Sequence, residues 1–191
     1  MRATSLAVPG DFSSAAFFLV AGCLGATHGL VLRGVGVNPT RAGLIGLLQH
    51  MGADIRIRRA AAPGQNSTEP VADIEVHEGP LRGITVPESM VPVAIDELPV
   101  FFIAAACAEG ESVVRGAHEL RVKESDRLAA MADGLMRLGV EYELLPDGMR
   151  IQGRSGPFKG GRIDSHGDHR IAMAFAVASL RALYGDRKSV V

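Results

Sequence analysis

An internal repeat constrains the fold of this 191-residue chain more than any single segment does. We place two full units at about residues 5–80 and 82–155, and a third, incomplete unit at 160–191. The two full units share matched positions: Asp11 with Asp96, Arg33 with Arg115, Arg41 with Arg127, and Met51-Gly52 with Leu138-Gly139. A recurring unit of this length predicts that copies of one small structure pack side by side.

Each unit reads as strand, helix, strand, helix, strand, strand. In the first unit we predict a helix at 15–24, a strand at 30–34, a helix at about 41–51 and a strand at 55–58. In the second unit we predict a helix at 100–108, a strand at 112–116, a helix at 125–138, and hairpin strands at 142–145 and 149–151. The third unit contributes a helix at 171–183.

The first helix of each unit is apolar on almost every side, and a helix without a polar face belongs in a protein interior. The sequence therefore predicts an α/β (α+β) fold in which sheets lie outside and helices pack together inside. Segments 60–70 and 153–161 are rich in Gly, Pro and polar residues and are predicted loops. The closing residues 185–191 match nothing in the repeat.

Composition narrows the classes of function. The formal net charge is −1 and basic residues are dispersed, which argues against nucleic-acid binding, where a positive face is usual. No signal sequence or membrane span is expected, because the apolar runs are broken by Gly or charge, so we expect a soluble, cytoplasmic protein. Cys23 and Cys107 lie in apolar runs without zinc-site spacing, and we expect both to be structural.

Asp96 is the first candidate functional residue. It comes just before an apolar helix, where a carboxylate commonly caps the first-turn amides. The matched Asp11 and Asp168 also precede helices, so three helix starts could meet at one surface. There Asp96 could instead act as a general base toward a substrate hydroxyl. Ser13 and Ser14, beside Asp11, could cap a helix or contact a phosphate.

The segment from Lys123 to Arg127 is the second candidate. If it is only a solvated helix start, Lys123 and Arg127 form a like-charge pair one turn apart, which is mildly unfavourable. Two such cations could instead clamp an anion, with Glu124 between them as an acid or base.

The segment from His166 to Arg170 is the third candidate. The His166 and His169 spacing invites a metal hypothesis, but no third ligand with zinc-like spacing accompanies it. Arg170, at a helix start, is better interpreted as a ligand for a carboxylate or phosphate, since its guanidinium pairs two oxygens in one plane. Together the three segments predict a pocket suited to a doubly anionic molecule.

Four motifs carry a resemblance to a known family: PGDFSSAA at 9–16, IDELP at 95–99, LRVKESDR at 120–127 and GDHRIAMA at 167–174. With them the chain resembles the 5-enolpyruvylshikimate-3-phosphate (EPSP) synthase family. The resemblance implies an inside-out α/β barrel of βαβαββ units, of which the third is incomplete here. It also implies transfer of the enolpyruvyl group of phosphoenolpyruvate to the 5-hydroxyl of shikimate 3-phosphate, with release of phosphate and no metal or organic cofactor.

The same resemblance implies roles for individual residues. Asp96 would bind the shikimate hydroxyls and serve as base, Lys123 would lie between the two substrates, and Glu124 would protonate the phosphoenolpyruvate methylene. Arg127 and Arg170 would hold the phosphoenolpyruvate carboxylate. His169 would adjoin them, and the same groups would meet glyphosate.

The chain also departs from the family, whose members are more than twice as long and draw further phosphate-binding residues from another domain. We therefore expect a domain fragment with little or no turnover alone and only weak binding of shikimate 3-phosphate, phosphoenolpyruvate or glyphosate. A rival interpretation is a non-catalytic binding or assembly module. In either case an unfinished third unit would leave apolar surface and a sheet edge uncovered, which favours a homodimer or a complex with a complementing N-terminal domain.

Overall fold

The structure, a computed structural model, describes residues 8–59, 69–154 and 156–182. The helices within these ranges are α1 (Phe12–Gly25), α2 (Gly43–His50), α3 (Leu98–Cys107), α4 (Arg127–Leu138) and α5 (His169–Ala178). The strands are β1 (Leu30–Gly36), β2 (Asp54–Arg59), β3 (Val71–His77), β4 (Glu111–Val114), β5 (Glu141–Leu145) and β6 (Gly148–Gln152). Short 3-10 turns at Ile95–Glu97 and Ser179–Arg181 flank α3 and α5.

The strands form two three-stranded antiparallel sheets, with strand orders β1-β3-β2 and β4-β6-β5. In the centre of the first sheet β3 alternates buried Ala72, Ile74 and Val76 with partly exposed polar residues, as a sheet with one covered face requires. The sequence analysis assigned no range to β3. The two sheets correspond to the two predicted full units, whose exact limits stay a prediction.

The predicted first strand of each unit is very short. It is reduced to isolated parallel bridges, Gly10 with Val35, Thr85 with Val113, and Phe158 with Ala182. Each bridge joins the chain before a first-position helix to the chain that follows it, so all three units have the same crossover.

The three first-position helices α1, α3 and α5 pack against one another in the interior. In α3 every residue from Leu98 to Ala106 is buried. The helices α2 and α4 have one apolar face each and contact β2 and β5 respectively. The prediction of an α/β fold with helices inside and sheets outside is confirmed, because helices without a polar face can be covered only by other elements.

Most predicted element limits differ from the observed ones by one to four residues. The helix predicted from 125 begins at Arg127 because the Asp126 side chain accepts a hydrogen bond from the Ala129 amide and caps the helix there. The helix predicted over 171–183 is α5, which ends at Ala178. Residue 183, most of the predicted loop 60–70 and the closing residues 185–191 lie outside the described residues.

Two further expectations concern the chain as a whole. None of the helices in the described part of the chain is long and apolar enough to cross a membrane. Cys23 is buried and Cys107 partly buried, both are free thiols, and burial raises the pKa of each to about 12. Thiols with so high a pKa are poor nucleophiles at neutral pH, which agrees with a structural role.

Candidate active site

One carboxylate, that of Asp96, lies among three cationic side chains from two separate parts of the chain. The Lys123 Nζ and Arg127 Nη1 atoms are each 3.4 Å from Asp96 Oδ1, and Arg170 Nη2 is 3.9 Å from Asp96 Oδ2. We call these four residues the Asp96 cluster. The three candidate segments of the sequence thus meet at one place, where α3, α4 and α5 begin.

Asp96 does not cap α3, so that interpretation is wrong. It lies within the 3-10 turn Ile95–Glu97, and the residue at the cap position is Glu97, which accepts no capping hydrogen bond among the described residues. The additional turn carries Asp96 away from the first amides of α3 and leaves its carboxylate facing the cations. Asp11 and Asp168 do cap, accepting from the amides of Ser14 at 2.8 Å and Arg170 at 2.9 Å.

Arg127 is the buried centre of the cluster, with only 1% of its side chain exposed. Its Nε donates to Asp168 Oδ2 at 2.8 Å, its Nη1 approaches Asp96, and its Nη2 donates to Glu124. Asp168 is equally buried and also accepts from the Ser125 hydroxyl at 3.1 Å. Because α4 begins only at Arg127, Lys123 and Arg127 are not a pair one helical turn apart, and the charge of Arg127 is already balanced by carboxylates.

Lys123 precedes α4 and bridges two carboxylates. Its Nζ is 2.5 Å from Glu119 Oε1 as well as 3.4 Å from Asp96. The hydrogen bond to Glu119 is the largest reason that the pKa of Lys123 is raised, and the Asp96 charge adds to it. Lys123 is therefore a stable ammonium. Glu119 was not among the residues predicted from the sequence, although its spacing of four residues before Lys123 is a recognisable ion-pair signal.

Arg170 is held by groups from two other helix starts, those of α1 and α3. Its Nη1 donates to the backbone carbonyl of Asp96 at 3.0 Å and lies 3.4 Å from Glu97 Oε1, and its Nη2 donates to the Ser13 hydroxyl at 3.3 Å. Glu97 is 4% exposed and accepts from Ser13 at 2.6 Å. Glu97 was not predicted as a site residue, because nothing in a single sequence shows which of two adjacent carboxylates is buried.

The pKa values of the two adjacent carboxyl groups, those of Asp96 and Glu97, are shifted in opposite directions. Burial by itself would raise the pKa of Asp96, but the charges of Arg170, Lys123 and Arg127 outweigh burial and hold this pKa below its ordinary value. For Glu97, burial prevails over the Ser13 hydrogen bond and the Arg170 charge, and its pKa is raised. Asp96 is thus a stable carboxylate that is still partly open to solvent, whereas Glu97 is enclosed.

Glu124 and His169 lie at the margins of this arrangement. The Glu124 side chain is 59% exposed and contacts the cluster through Arg127. His169 is exposed at the start of α5, makes no hydrogen bond or ion pair within the described residues, and lines a cavity of about 520 Å³ together with Arg137 and Arg162. The structure therefore brings Glu124 to the Asp96 cluster but leaves the His169 side chain outside it.

The metal hypothesis for His166 and His169 finds no geometry to support it. In the part of the chain that the structure describes, no three His, Cys, Asp or Glu side chains are grouped so that they could hold a metal ion. His166 instead occupies a turn with a positive φ of 54°, and its amide donates to Asp164 Oδ1 at 2.8 Å.

The fold is that of the enolpyruvyl transferases. It is shared with the enolpyruvyl transferase NikO from Streptomyces tendae, with a TM-score of 0.65 at 22% identity over 89% of this chain and 36% of that one. The agreement is closer with EPSP synthase from Acinetobacter baumannii, with a TM-score of 0.86 at 50% identity over 92% of this chain and 40% of that one.

Sequence comparison identifies the family within this class. The family model for EPSP synthase (3-phosphoshikimate 1-carboxyvinyltransferase) matches residues 1–186, and the chain belongs to this family. It is 56% identical to the 3-phosphoshikimate 1-carboxyvinyltransferase of Methylococcus capsulatus over 182 residues, which are 95% of this chain and 40% of the relative. Identity to the corresponding enzyme of Halorhodospira halophila is 57% over 179 residues, 94% of this chain and 39% of the relative. The chain spans about 40% of the length of the curated relatives it matches.

Proposed function

We propose that this chain supplies one side of an active site that transfers the enolpyruvyl group of phosphoenolpyruvate to the 5-hydroxyl of shikimate 3-phosphate. The observation that carries the proposal is the Asp96 cluster, in which one partly open carboxylate lies within 4 Å of three cations. The activity for which the relatives are named, 3-phosphoshikimate 1-carboxyvinyltransferase, supports the choice of reaction.

The proposed reaction begins with addition. The carboxylate of Asp96 accepts the proton of the 5-hydroxyl while the oxygen bonds to C2 of phosphoenolpyruvate, and Glu124 gives a proton to C3. In the elimination step C3 returns a proton to Glu124 and the double bond forms again, while Asp96 gives its proton to the phosphate group that departs from C2. The lowered pKa keeps Asp96 deprotonated, so it is able to accept a proton although it is a weakened base, and the exposure of Glu124 allows that side chain to reach a substrate.

Cations are needed because both substrates are anionic and would repel each other. Preorganised positive charge offsets this repulsion and stabilises the charge that develops during addition. Lys123 and Arg170 remain partly exposed, at 23% and 12% of their side chains, and are proposed to contact substrate. Arg127 is 1% exposed, so a substrate carboxylate would reach its Nη2 only after Glu124 moved away. His169 is proposed to adjoin this contact from the side of α5.

We further propose that the 191-residue chain alone binds these substrates, or glyphosate, only weakly and turns over little. The matched relatives contain more than twice as much chain, and a site open on one side admits water. Full turnover is then expected only when a complementing domain closes the site.

A second candidate function, a non-catalytic assembly module, is favoured by exposed apolar side chains. Phe18 on α1 is 55% exposed and Leu180, in the turn after α5, is 58% exposed. Exposed apolar surface is typical of contacts with another protein chain. Sedimentation over a wide concentration range would show a homodimer if this candidate is right, and only monomer would contradict it.

Calorimetric titration separates the two functions. Shikimate 3-phosphate is titrated first and phosphoenolpyruvate or glyphosate second, into the chain alone and into the chain mixed with the part of the Methylococcus capsulatus relative outside the matched 40%. Binding lost in Asp96→Ala and Arg127→Ala, and phosphate release in the mixture, would support the transferase.

The matched control is Asp133→Asn, which breaks an exposed ion pair with Arg137 on the same helix as Arg127. Binding that survives Asp96→Ala in folded protein would contradict the proposed site. Phosphate release by the chain alone at the rate of the mixture would contradict the proposal of weak activity.

A further inference from the structure

The hydroxyl of Ser13 joins three charged side chains that come from different helix starts. It donates to Glu97 Oε1 at 2.6 Å and accepts from Arg170 Nη2 at 3.3 Å and from Arg41 Nη2 at 3.4 Å. A serine hydroxyl has one donor and two acceptor positions, so all of its hydrogen-bonding capacity is used here. Its orientation is therefore fixed by Glu97, and its lone pairs are directed at the two arginines.

Glu97 is placed too deeply to meet a substrate. It is 4% exposed, lies behind Asp96 in the same turn, and accepts no capping hydrogen bond from α3 among the described residues. A buried carboxyl is costly unless it is paired, and its partners here are the Ser13 hydroxyl and, at 3.4 Å, Arg170 Nη1. Glu97 must therefore act through these partners.

Arg170 is held chiefly by groups other than the carboxylate of Asp96. Three contacts fix its two terminal nitrogens: Glu97 Oε1, the Asp96 backbone carbonyl and the Ser13 hydroxyl. Its nearest approach to the Asp96 carboxylate is 3.9 Å, beyond hydrogen-bond distance. These three contacts thus orient the Arg170 guanidinium, while its positive charge still acts on the Asp96 carboxylate.

We infer that Glu97, together with the Ser13 hydroxyl it orients, is a positioning residue that holds Arg170 in the geometry needed to bind the carboxylate of phosphoenolpyruvate. The inference rests on the proposed function for the identity of the bound anion. Arg41 completes the same junction, so the start of α1 and the turn before α2 contribute to a site whose charged residues otherwise come from the second and third units.

The first test measures KM in the mixture of this chain with the complementing part of the relative. Glu97→Gln preserves shape and an acceptor for Ser13 but removes the charge facing Arg170, so KM for phosphoenolpyruvate is expected to rise roughly tenfold while KM for shikimate 3-phosphate changes less than about twofold. Ser13→Ala is expected to act in the same direction but more weakly, and Glu97→Ala more strongly than Glu97→Gln. The control Asp133→Asn should change neither constant.

A role in folding alone would give the opposite result. Glu97→Gln would then lower the stability of the protein but leave KM for phosphoenolpyruvate unchanged in the folded fraction, and this outcome would overturn the inference. Equal increases in both KM values would overturn it too, because they would show a general disturbance of the site.

The second test needs no substrate and therefore separates this inference from the proposed function. Urea unfolding of the 191-residue chain is measured for Glu97→Gln, Arg170→Gln and the double variant. If Glu97 and Arg170 interact, the folding equilibrium constant of the double variant should differ roughly fivefold from the value expected for two independent substitutions. If Glu97→Gln does not fold, Ser13→Ala takes its place in the cycle. Absence of coupling would overturn the positioning role, whereas wild-type protein that binds no phosphoenolpyruvate but shows the coupling would contradict only the proposed function and the identity of the anion.

Discussion

The two sheet-containing units of this chain have the same succession of elements but very different connections before their second helix. Between β1 and α2 the chain makes a compact turn, in which the Asn38 side chain accepts from the Thr40 amide at 3.0 Å. Between β4 and α4 it instead carries Glu119, Lys123 and Glu124. The repeated architecture therefore sets where a helix begins, while the connection before it decides whether charge gathers at that point.

The matched arginines at these helix starts show the same contrast. Arg41, in the first unit, is exposed and donates to the Ser13 hydroxyl. Arg127, in the second unit, is buried and meets three carboxylates. Equivalent positions in the repeat thus have different surroundings, because the third unit presents Asp168 to Arg127. Substitutions at matched positions should show how far the two units differ in their contributions to the free energy of unfolding.

The largest difference in the loss of unfolding free energy is expected between substitutions of two helix-capping aspartates. Asp168→Ala removes a buried partner of Arg127, and breaking a buried ion pair costs about 3–5 kcal/mol. Asp11→Ala removes an exposed cap of α1, which costs about 1 kcal/mol. Urea unfolding of both variants measures the two losses of free energy. Equal losses would show that Arg127 finds sufficient compensation from Asp96 and Glu124.

Substitution of two helix-interior glycines by Ala should give a smaller difference in stability. A Cβ atom at Gly134 in α4 would lie 2.0 Å from the Phe175 ring of α5, so Gly134→Ala is expected to destabilise the protein by about 2 kcal/mol through overpacking. A Cβ at Gly46 in α2 would meet only the mobile end of the Met90 side chain at 2.9 Å. Gly46→Ala is expected to be neutral or stabilising by up to about 1 kcal/mol, because alanine favours helix.

Thermal unfolding of the two alanine variants provides this comparison. A melting temperature lowered equally by both changes would mean that α2 packs as tightly as α4, contrary to the geometry.

The matched glycines after the second helices are expected to behave alike. Gly52 and Gly139 both have positive φ, 93° and 74°, and Gly139 donates from its amide to the last carbonyls of α4. Replacing either with Ala forces a side chain into the left-handed region at a cost of about 1 kcal/mol. Urea unfolding should give similar losses for the two variants, and a loss in only one would show that the match between the units ends before this turn.

The smallest effect is expected in the pH dependence of stability. Asp96 and Glu97 contribute to this dependence with opposite signs. The pKa of Asp96 is lowered on folding, so its contribution is present above the unfolded value of about 3.9 and is lost as pH falls through the folded pKa. Asp96→Asn should therefore flatten the loss of stability in acid. The raised pKa of Glu97 makes stability fall as pH rises from about 4.3 through its folded pKa, and Glu97→Gln should remove that decline.

Urea unfolding between pH 3 and pH 7 measures how the free energy of unfolding changes with pH, and so gives both slopes. The exposed control Asp133→Asn should leave them unchanged, and slopes of the same sign for Asp96 and Glu97 would contradict the assignment of one open and one enclosed carboxyl group.

Several parts of the fold were predictable because their signals are local. The core helix α3 was predicted at 100–108 from its unbroken apolar run and is observed at Leu98–Cys107. The alternation in Val71–His77 is an equally local signal that identifies β3, but no range was assigned to it. At the start of α1 the sequence offered Ser13 and Ser14 as caps, but the capping residue is Asp11; the cap considered for Asp96 failed because a 3-10 turn precedes α3.

The amino-acid sequence by itself determined the repeat, the apolar interior helices and the four motifs that identify the family, because these depend on residue type and spacing. Only the tertiary structure decided that Glu97 is enclosed while Asp96 is open, that Glu119 holds Lys123, and that His169 lines a cavity outside the Asp96 cluster. The physical reason is that burial and charge partners depend on neighbours brought from distant parts of the chain, and a side chain's chemistry at a site is set by those neighbours.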